Sequence, residues 1–336
     1  MKKFINDPKD LVGDMIDGFL QAFGGSFEKL PGRNGIVTRK QERRVSIVTG
    51  GGSGGEPWCI GAVGEGLADG VAIGNIFAAP AATTVAEVCK AVYHEEGVLL
   101  ITGNHTGDAL NFELAAELAE MEAGIRCKTL LVTDDLGSSE CKEERSGNAG
   151  IGIVVFLAAA AARKGLPLER VWEIAAKANR NLSTLSAVME LGANPATGLS
   201  MGEIAQDEYQ IGTGVTGEPG FLTEKLQPAK EITARLMELL IVDLDLKPSD
   251  EVALFINGGG TVSVMEELIV CGHACRYLRE AGISVFDVDL TERLKVEKTN
   301  AVTVSLLKLD AELKEYVRAT AHAPLIAKRH YGGETL

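Results

Sequence analysis

Val45-Ser-Ile-Val-Thr-Gly-Gly-Gly-Ser-Gly-Gly-Glu-Pro57 joins a β-prone apolar run to a loop of nearly bare backbone. Glycine gives up more conformational freedom on ordering than any other residue. Five glycines within positions 50–55 therefore predict a place where something must touch main chain closely. The run reads as a strand that ends in a tight turn. Pro57 suits the first position of a following helix, predicted over Pro57–Leu67. Unpaired amides at such a helix start would receive carbonyl or phosphate oxygens. Gly51, Gly52 and Ser53 are the expected cradle.

Outward from this loop, β-prone runs alternate with helical patterns. Gly70–Gly74, Val98–Thr102 and Thr129–Thr133 read as strands, while Thr84–Val92 and Ala109–Ala123 read as helices. In the last, Leu110, Leu114, Leu118 and Met121 recur at helical spacing. A helical stretch from Asn148 to about Asn181 breaks at Gly165-Leu-Pro167. Further strands are predicted near Ser183–Leu191, Tyr209–Gly214, Val252–Asn257, Ile283–Val288 and Val302–Leu309, with helices at Ala229–Leu240 and Val262–Ala281. Such alternation predicts an α/β protein of two α/β domains, residues 1–182 and 183–336, each a largely parallel or mixed sheet flanked by helices. Ligands of such sheets sit beyond the strand C-terminal ends. Gly50–Glu56 and Gly103–Asp108 both fall on that edge. The echo between Gly-Gly-Glu-Pro at 54–57 and Thr-Gly-Glu-Pro-Gly at 216–220 suggests two similar turns facing each other across a cleft.

Composition narrows the partners. Forty-seven acidic against 33 basic residues give a net charge of −14, which argues against nucleic acid and anionic membrane. The longest apolar run, Ile151–Ala162, is too short to cross a bilayer. Six scattered cysteines and no secretory segment after Met1 predict free thiols in a reducing cytoplasm.

Each motif has an ordinary reading beside its chemical one. Gly50, Gly52 and Gly55 satisfy G-x-G-x-x-G, yet Val71–Ala78 carries no carboxylate to take a ribose, so a dinucleotide is disfavoured. No Gly-Lys-Ser/Thr follows, which excludes a P-loop. Gly51–Gly55 also fits G-x-S-x-G, leaving a hydrolase with Ser53 as nucleophile as a distant alternative to a turn hydroxyl. Cys271 and Cys275 share a helix face that His273 cannot join, so they read as core thiols rather than metal ligands. Asp108, in Asn104-His-Thr-Gly-Asp108, is a good helix cap, and it is also a candidate general base beside the glycine loop.

Taken together, these stretches resemble the substrate-binding subunit of the dihydroxyacetone kinase family. Four segments carry the likeness in type, order and spacing: Thr49–Pro57, Asn104–Phe112, Gly214–Gly220 and Asn257–Thr261. Met1–Asn6 and Leu306–Asp310 fit as well. The resemblance implies a cytoplasmic homodimer that binds a small polyhydroxylated ketone, with no cofactor or metal on this chain. ATP or ADP with magnesium would be held by a nucleotide-binding partner subunit.

The family's reactive groups carry over unevenly. Its ketone-trapping His matches Thr216, a second His matches Gly55, and a Lys matches Gly103, while the aspartate survives as Asp108. A Thr hydroxyl without a base is a poor nucleophile. The expectation is therefore non-covalent binding in a roomier, less cationic cleft. Asp108 would accept a proton. Gly51, Gly52, Ser53, Gly55, Gly103, His105, Thr106 and Thr216 would contact substrate, and His105 is a possible relocated imidazole. The alternative implied by the same losses is a catalytically inactive paralogue that serves as a ligand-sensing co-regulator of a transcription factor.

Overall fold

The computed structural model describes residues 2–291 and 293–330; Met1 of the opening segment and residues 331–336 of the expected C-terminal part lie outside it. The apolar runs form strands that are covered on both faces. Six of them build a first sheet: β1 Phe27–Lys29, β2 Gly35–Thr38, β3 Ser46–Ser53, β4 Gly70–Ile76, β5 Val98–Gly103 and β6 Cys127–Val132. Their order is β1-β2-β4-β3-β5-β6, parallel through β4-β3-β5-β6 with an antiparallel β1-β2 edge. The second sheet holds β7 Leu182–Glu190, β8 Glu208–Ile211, β9 Leu222–Lys225, β10 Glu251–Gly258, β11 Ser284–Asp289 and β12 Asn300–Leu309. It runs β11-β10-β12-β7-β8-β9 and is mixed, since only β10 and β11 are parallel.

Period-two burial explains why these strands read as continuous apolar runs. Along β5, Leu99 and Ile101 enter one core while Val98 and Leu100 enter another. Along β10, Ala253 and Phe255 join that first core, and Val252, Leu254 and Ile256 face the opposite way. The shared core is filled by α4 Gly150–Ala162 and α5 Leu168–Arg180, which lie between the two sheets. All 13 residues of α4 are buried. Its Ala-rich, aromatic-poor sequence lets both sheets approach closely. α2 Ala82–Val92 and α3 Thr106–Ala123 cover the far face of the first sheet, and α6 Ala229–Asp243 and α7 Val264–Glu280 cover that of the second. α1 Leu11–Phe23 and α8 Ala311–Val317 finish the central layer. The architecture is mixed α/β with two helix-flanked sheets. Among the described residues, no helix is long and apolar enough to cross a membrane.

Two expectations are corrected. No α-helix follows the glycine loop. Gly50 to Ser53 continue β3, the Glu56–Pro57 peptide is cis, and only a 3-10 turn, Ile60–Ala62, follows. Gly64 and Gly66 adopt φ of +143° and +85°, turning the chain so that Val63 bridges Ala68. The helix α3 forms, but its Leu stripe points outward: Leu110, Leu114 and Met121 are exposed, while Phe112, Ala115 and Ala119 are buried. Cys271 and Cys275 pack, half-buried, against the second sheet's outer core, and all six cysteines are free.

Candidate functional site

The parallel strands of the first sheet deliver their C-terminal ends to one rim. β3 and β5 are tied there by side chains as well as by the ladder: Thr49 Oγ1 donates to the Ile101 carbonyl (2.6 Å) and Thr102 Oγ1 to that of Gly50 (3.0 Å). Position 50 admits only glycine, because a Cβ would lie 2.2 Å from the Ala72 carbonyl oxygen. The β3–β4 register shifts between Gly51 and Ser53, which lifts Gly52 off the ladder at the rim.

Four further pieces converge on this rim. α3 starts directly after β5 and presents Asp108 in its first turn. The α4 start is fixed by Asp134, whose carboxylate accepts from Asn148 N (2.8 Å) and Gly150 N (2.9 Å). From the second sheet come the loop with Val215, Thr216 and Glu218, and the segment with Arg293 and Leu294. Together they enclose a cavity of about 460 Å³.

Asp108 is the chemically distinctive group. Its Oδ1 is buried and has no hydrogen-bond partner. Burial pushes its pKa up to about 6, against a smaller opposing pull from His105. A Cβ on Gly51 would stand 3.1 Å from Trp58 Nε1 and 3.8 Å from Asp108 Oδ1. The missing side chain thus opens a space bordered by an acceptor and an indole donor, with room for a hydroxyl between them. Across the cavity, Thr216 donates its amide to Glu218 Oε2 (3.0 Å) and its hydroxyl to Glu218 Oε1. The arginine in the lining, Arg293, is bonded to Asp289 (2.5 Å). The cavity is therefore glycine-floored and weakly acidic, with a few polar groups set in a largely apolar wall, suited to a small neutral guest that carries hydroxyls.

Residues 17–325 match the Dak1 domain. The chain belongs to the Dak1 family. It is 34% identical to the dihydroxyacetone-binding subunit DhaK of a PTS-dependent dihydroxyacetone kinase of Listeria innocua, covering 96% of this chain and 98% of that one. It is 35% identical to a D-erythrulose kinase of Mycolicibacterium smegmatis over 99% of this chain, which spans only 58% of that enzyme. Among solved structures, the dihydroxyacetone kinase of C. freundii in complex with AMP-PNP and Mg2+ superposes with a TM-score of 0.86 at 26% identity, over 99% of this chain and 63% of that one. The dihydroxyacetone kinase operon co-activator DhaQ has the same fold, with a TM-score of 0.88 at 24% identity over 94% of this chain and 98% of that one.

In this Dak1 chain the cavity gathers Gly51, Gly52, Ser53, Gly55, Gly103, His105, Asp108 and Thr216. Thr106 is not among them. It lies two residues from Asp108 on the helix, hence on the other side, and is exposed. Several members are already engaged. Ser53 Oγ donates to the Gly74 carbonyl (2.7 Å), the turn role rather than that of a nucleophile. The Gly54 amide is taken by the Glu56 carboxylate (3.0 Å to Oε1), so it is not open to a ligand. The His105 ring pairs with the Gly147 carbonyl (3.0 Å) and occupies the space a Cβ on Gly103 would enter, 2.9 Å away. A Cβ on Gly55 would meet Leu294 Cδ1 at 2.5 Å. Sequence reasoning missed Trp58, Glu218 and Leu294. Trp58 adjoins the glycine loop and Glu218 lies in the echoed Thr-Gly-Glu-Pro turn, so both were within reach. Leu294 comes from a segment with no local signal.

Proposed function

We propose that this chain is the substrate-binding subunit of a ketose phosphotransferase, holding a short polyhydroxylated ketone without a covalent link. The observation that carries this reading is Asp108: a half-buried carboxylate whose inner oxygen is buried and unbonded, its pKa raised to about 6, facing the Trp58 indole over the bare Gly51. A general base works best with a pKa near ambient pH. Asp108 takes the proton of the hydroxyl that is phosphorylated, and the Gly51–Gly52 backbone and Trp58 N–H orient the other oxygens. Thr216, pinned to Glu218, and Gly55, backed by Leu294, present no imidazole, which makes this a divergent site without the family's two histidines. Relatives named as erythrulose kinases support a four-carbon ketose as the substrate class. The likeness to a dihydroxyacetone-binding subunit of a PTS-dependent kinase supports a partner as the source of the phosphoryl group, with ATP or ADP and magnesium held there rather than in this cavity. That partner is a nucleotide-binding or phosphoryl-donating subunit, acting on a homodimer of this cytoplasmic chain. The two halves, 1–182 and 183–336, act as two domains that close on the ketose.

Titration with D- and L-erythrulose and dihydroxyacetone, followed by Trp58 fluorescence in a Trp172→Phe background, tests binding. Addition of the purified partner subunit then tests transfer. Saturable quenching with phosphorylated product supports the reading; no binding, or turnover unchanged in Asp108→Asn, overturns it. The co-regulator alternative draws on the same absence of imidazoles. It predicts ligand binding without turnover and recovery of a transcriptional regulator in pull-downs.

A further inference from the structure

A second cavity, about 440 Å³, lies at the opposite rim of the first sheet. It is bordered by Phe27 of β1, Arg39 and Lys40 after β2, Arg44 before β3, the Gly64–Gly66 turn and His322, and the carboxylates of Glu42, Glu65 and Asp69 also lie in its lining. Arg163, directly after α4, forms its inner wall. The ketose cavity meets the C-terminal end of β3 and the first turn of α4; this one meets their other ends. Eight strand residues or 13 helical ones put about 20 Å between them.

The cations here are not equivalent. Arg44 grips Asp69 with both guanidinium nitrogens (2.7 and 3.0 Å). Arg39 pairs with Glu28 (2.8 Å), and Lys40 stands 4.0 Å from Glu42. Arg163 has a single bond, from Nη2 to the Thr320 carbonyl (2.9 Å). Among the described residues, no carboxylate comes within ion-pair range of it. Burial and the neighbouring Arg44 disfavour its charge more than Glu65 and Glu42, which are felt more weakly, favour it. A half-buried guanidinium beside a second one is costly unless an anion sits between them.

We propose that this rear cavity binds a small phosphate-bearing molecule, with Arg163 as its principal contact and Lys40, Arg39 and His322 at its mouth. Arginine's planar fork suits a phosphate's paired oxygens, and a dianion gains from several cations at once. The enclosed volume and the chain's net charge of −14 favour a small metabolite over a polyanionic polymer. The site is independent of the reading given for the ketose cleft.

Calorimetric titration with inorganic phosphate tests it, with acetate at matched ionic strength as the second arm. The expected result is saturable phosphate binding, weakened about tenfold or more in Arg163→Gln. Lys40→Glu, an exposed position whose charge reversal spares the interior, weakens it as well. Absence of saturable binding overturns the proposal. So does an affinity unchanged in both variants, which would place the phosphate elsewhere. Acetate binding as tightly as phosphate would assign the site to carboxylates instead and overturn the phosphate preference.

Discussion

Asp108 pays for its position in desolvation, and the sign of that cost is measurable. Its folded pKa of about 6 lies above the ordinary 3.8. The group's contribution to stability is therefore fully present below about pH 4 and lost as pH rises through 6. Asp108→Asn removes the cost, so thermal unfolding at pH 7.5 shows the variant more stable than the parent by on the order of 1–2 kcal/mol, a gap that closes near pH 4. In the transfer assay, kcat/KM of the parent rises with pH to a plateau above 6, and the variant loses about 10²-fold or more with no such inflection. The adjacent glycines separate fold from function. Gly50→Ala drives a Cβ into the Ala72 carbonyl and destabilises by about 2 kcal/mol or more. Gly51→Ala meets only the edge of Trp58; it keeps the fold and loses ketose affinity in the fluorescence titration. The need for glycine was readable in the sequence. That Gly50 meets a neighbouring strand, while Gly51 borders the cavity, depends on register and was not.

Helix α3 shows what periodicity can and cannot decide. Leu110, Leu114 and Met121 announce a helix correctly and its buried face wrongly. The small residues Ala115 and Ala119 face inward because α2 and the sheet crowd that side. Leu114 is 47% exposed and Ala115 fully buried. Chemical denaturation should place Leu114→Gln within about 0.5 kcal/mol of the parent. Ala115→Gln, which overpacks that contact and buries an amide, costs about 2–4 kcal/mol. If Leu114→Gln proved the costlier change, the face assignment would be wrong. The missing helix after the glycine loop has a comparable cause. The apolar spacing of 57–67 is compatible with a helix, but Gly64 and Gly66 sit at φ values that end one, and only the tertiary turn reveals it.

At the scale of the molecule, strand–helix alternation forecast two helix-flanked sheets, but not that the second is mostly antiparallel, because apolar runs buried on both faces look alike in either sense. Nor did it forecast the buried clasp between the halves. Arg145, 3% exposed at its side chain, grips Asp243 at the end of α6 with both nitrogens (2.6 and 2.9 Å). Arg145 also orders the site: its carbonyl accepts from Asn104 Nδ2 (2.9 Å), one residue beyond β5. Burial raises the Asp243 pKa, yet the Arg145 bond prevails and holds it below the usual 3.8. Removing the guanidinium leaves a half-buried carboxylate unpaired, so Arg145→Gln costs about 3 kcal/mol at pH 7. Because the folded pKa is depressed, the stabilisation is present above about pH 4 and lost as pH falls through the folded value. Denaturation of parent and variant from pH 7 down to 3 should show their midpoints converging, with ketose affinity at pH 7 weakened in the variant. A gap that stays constant across that range would mean the pair contributes through packing rather than charge.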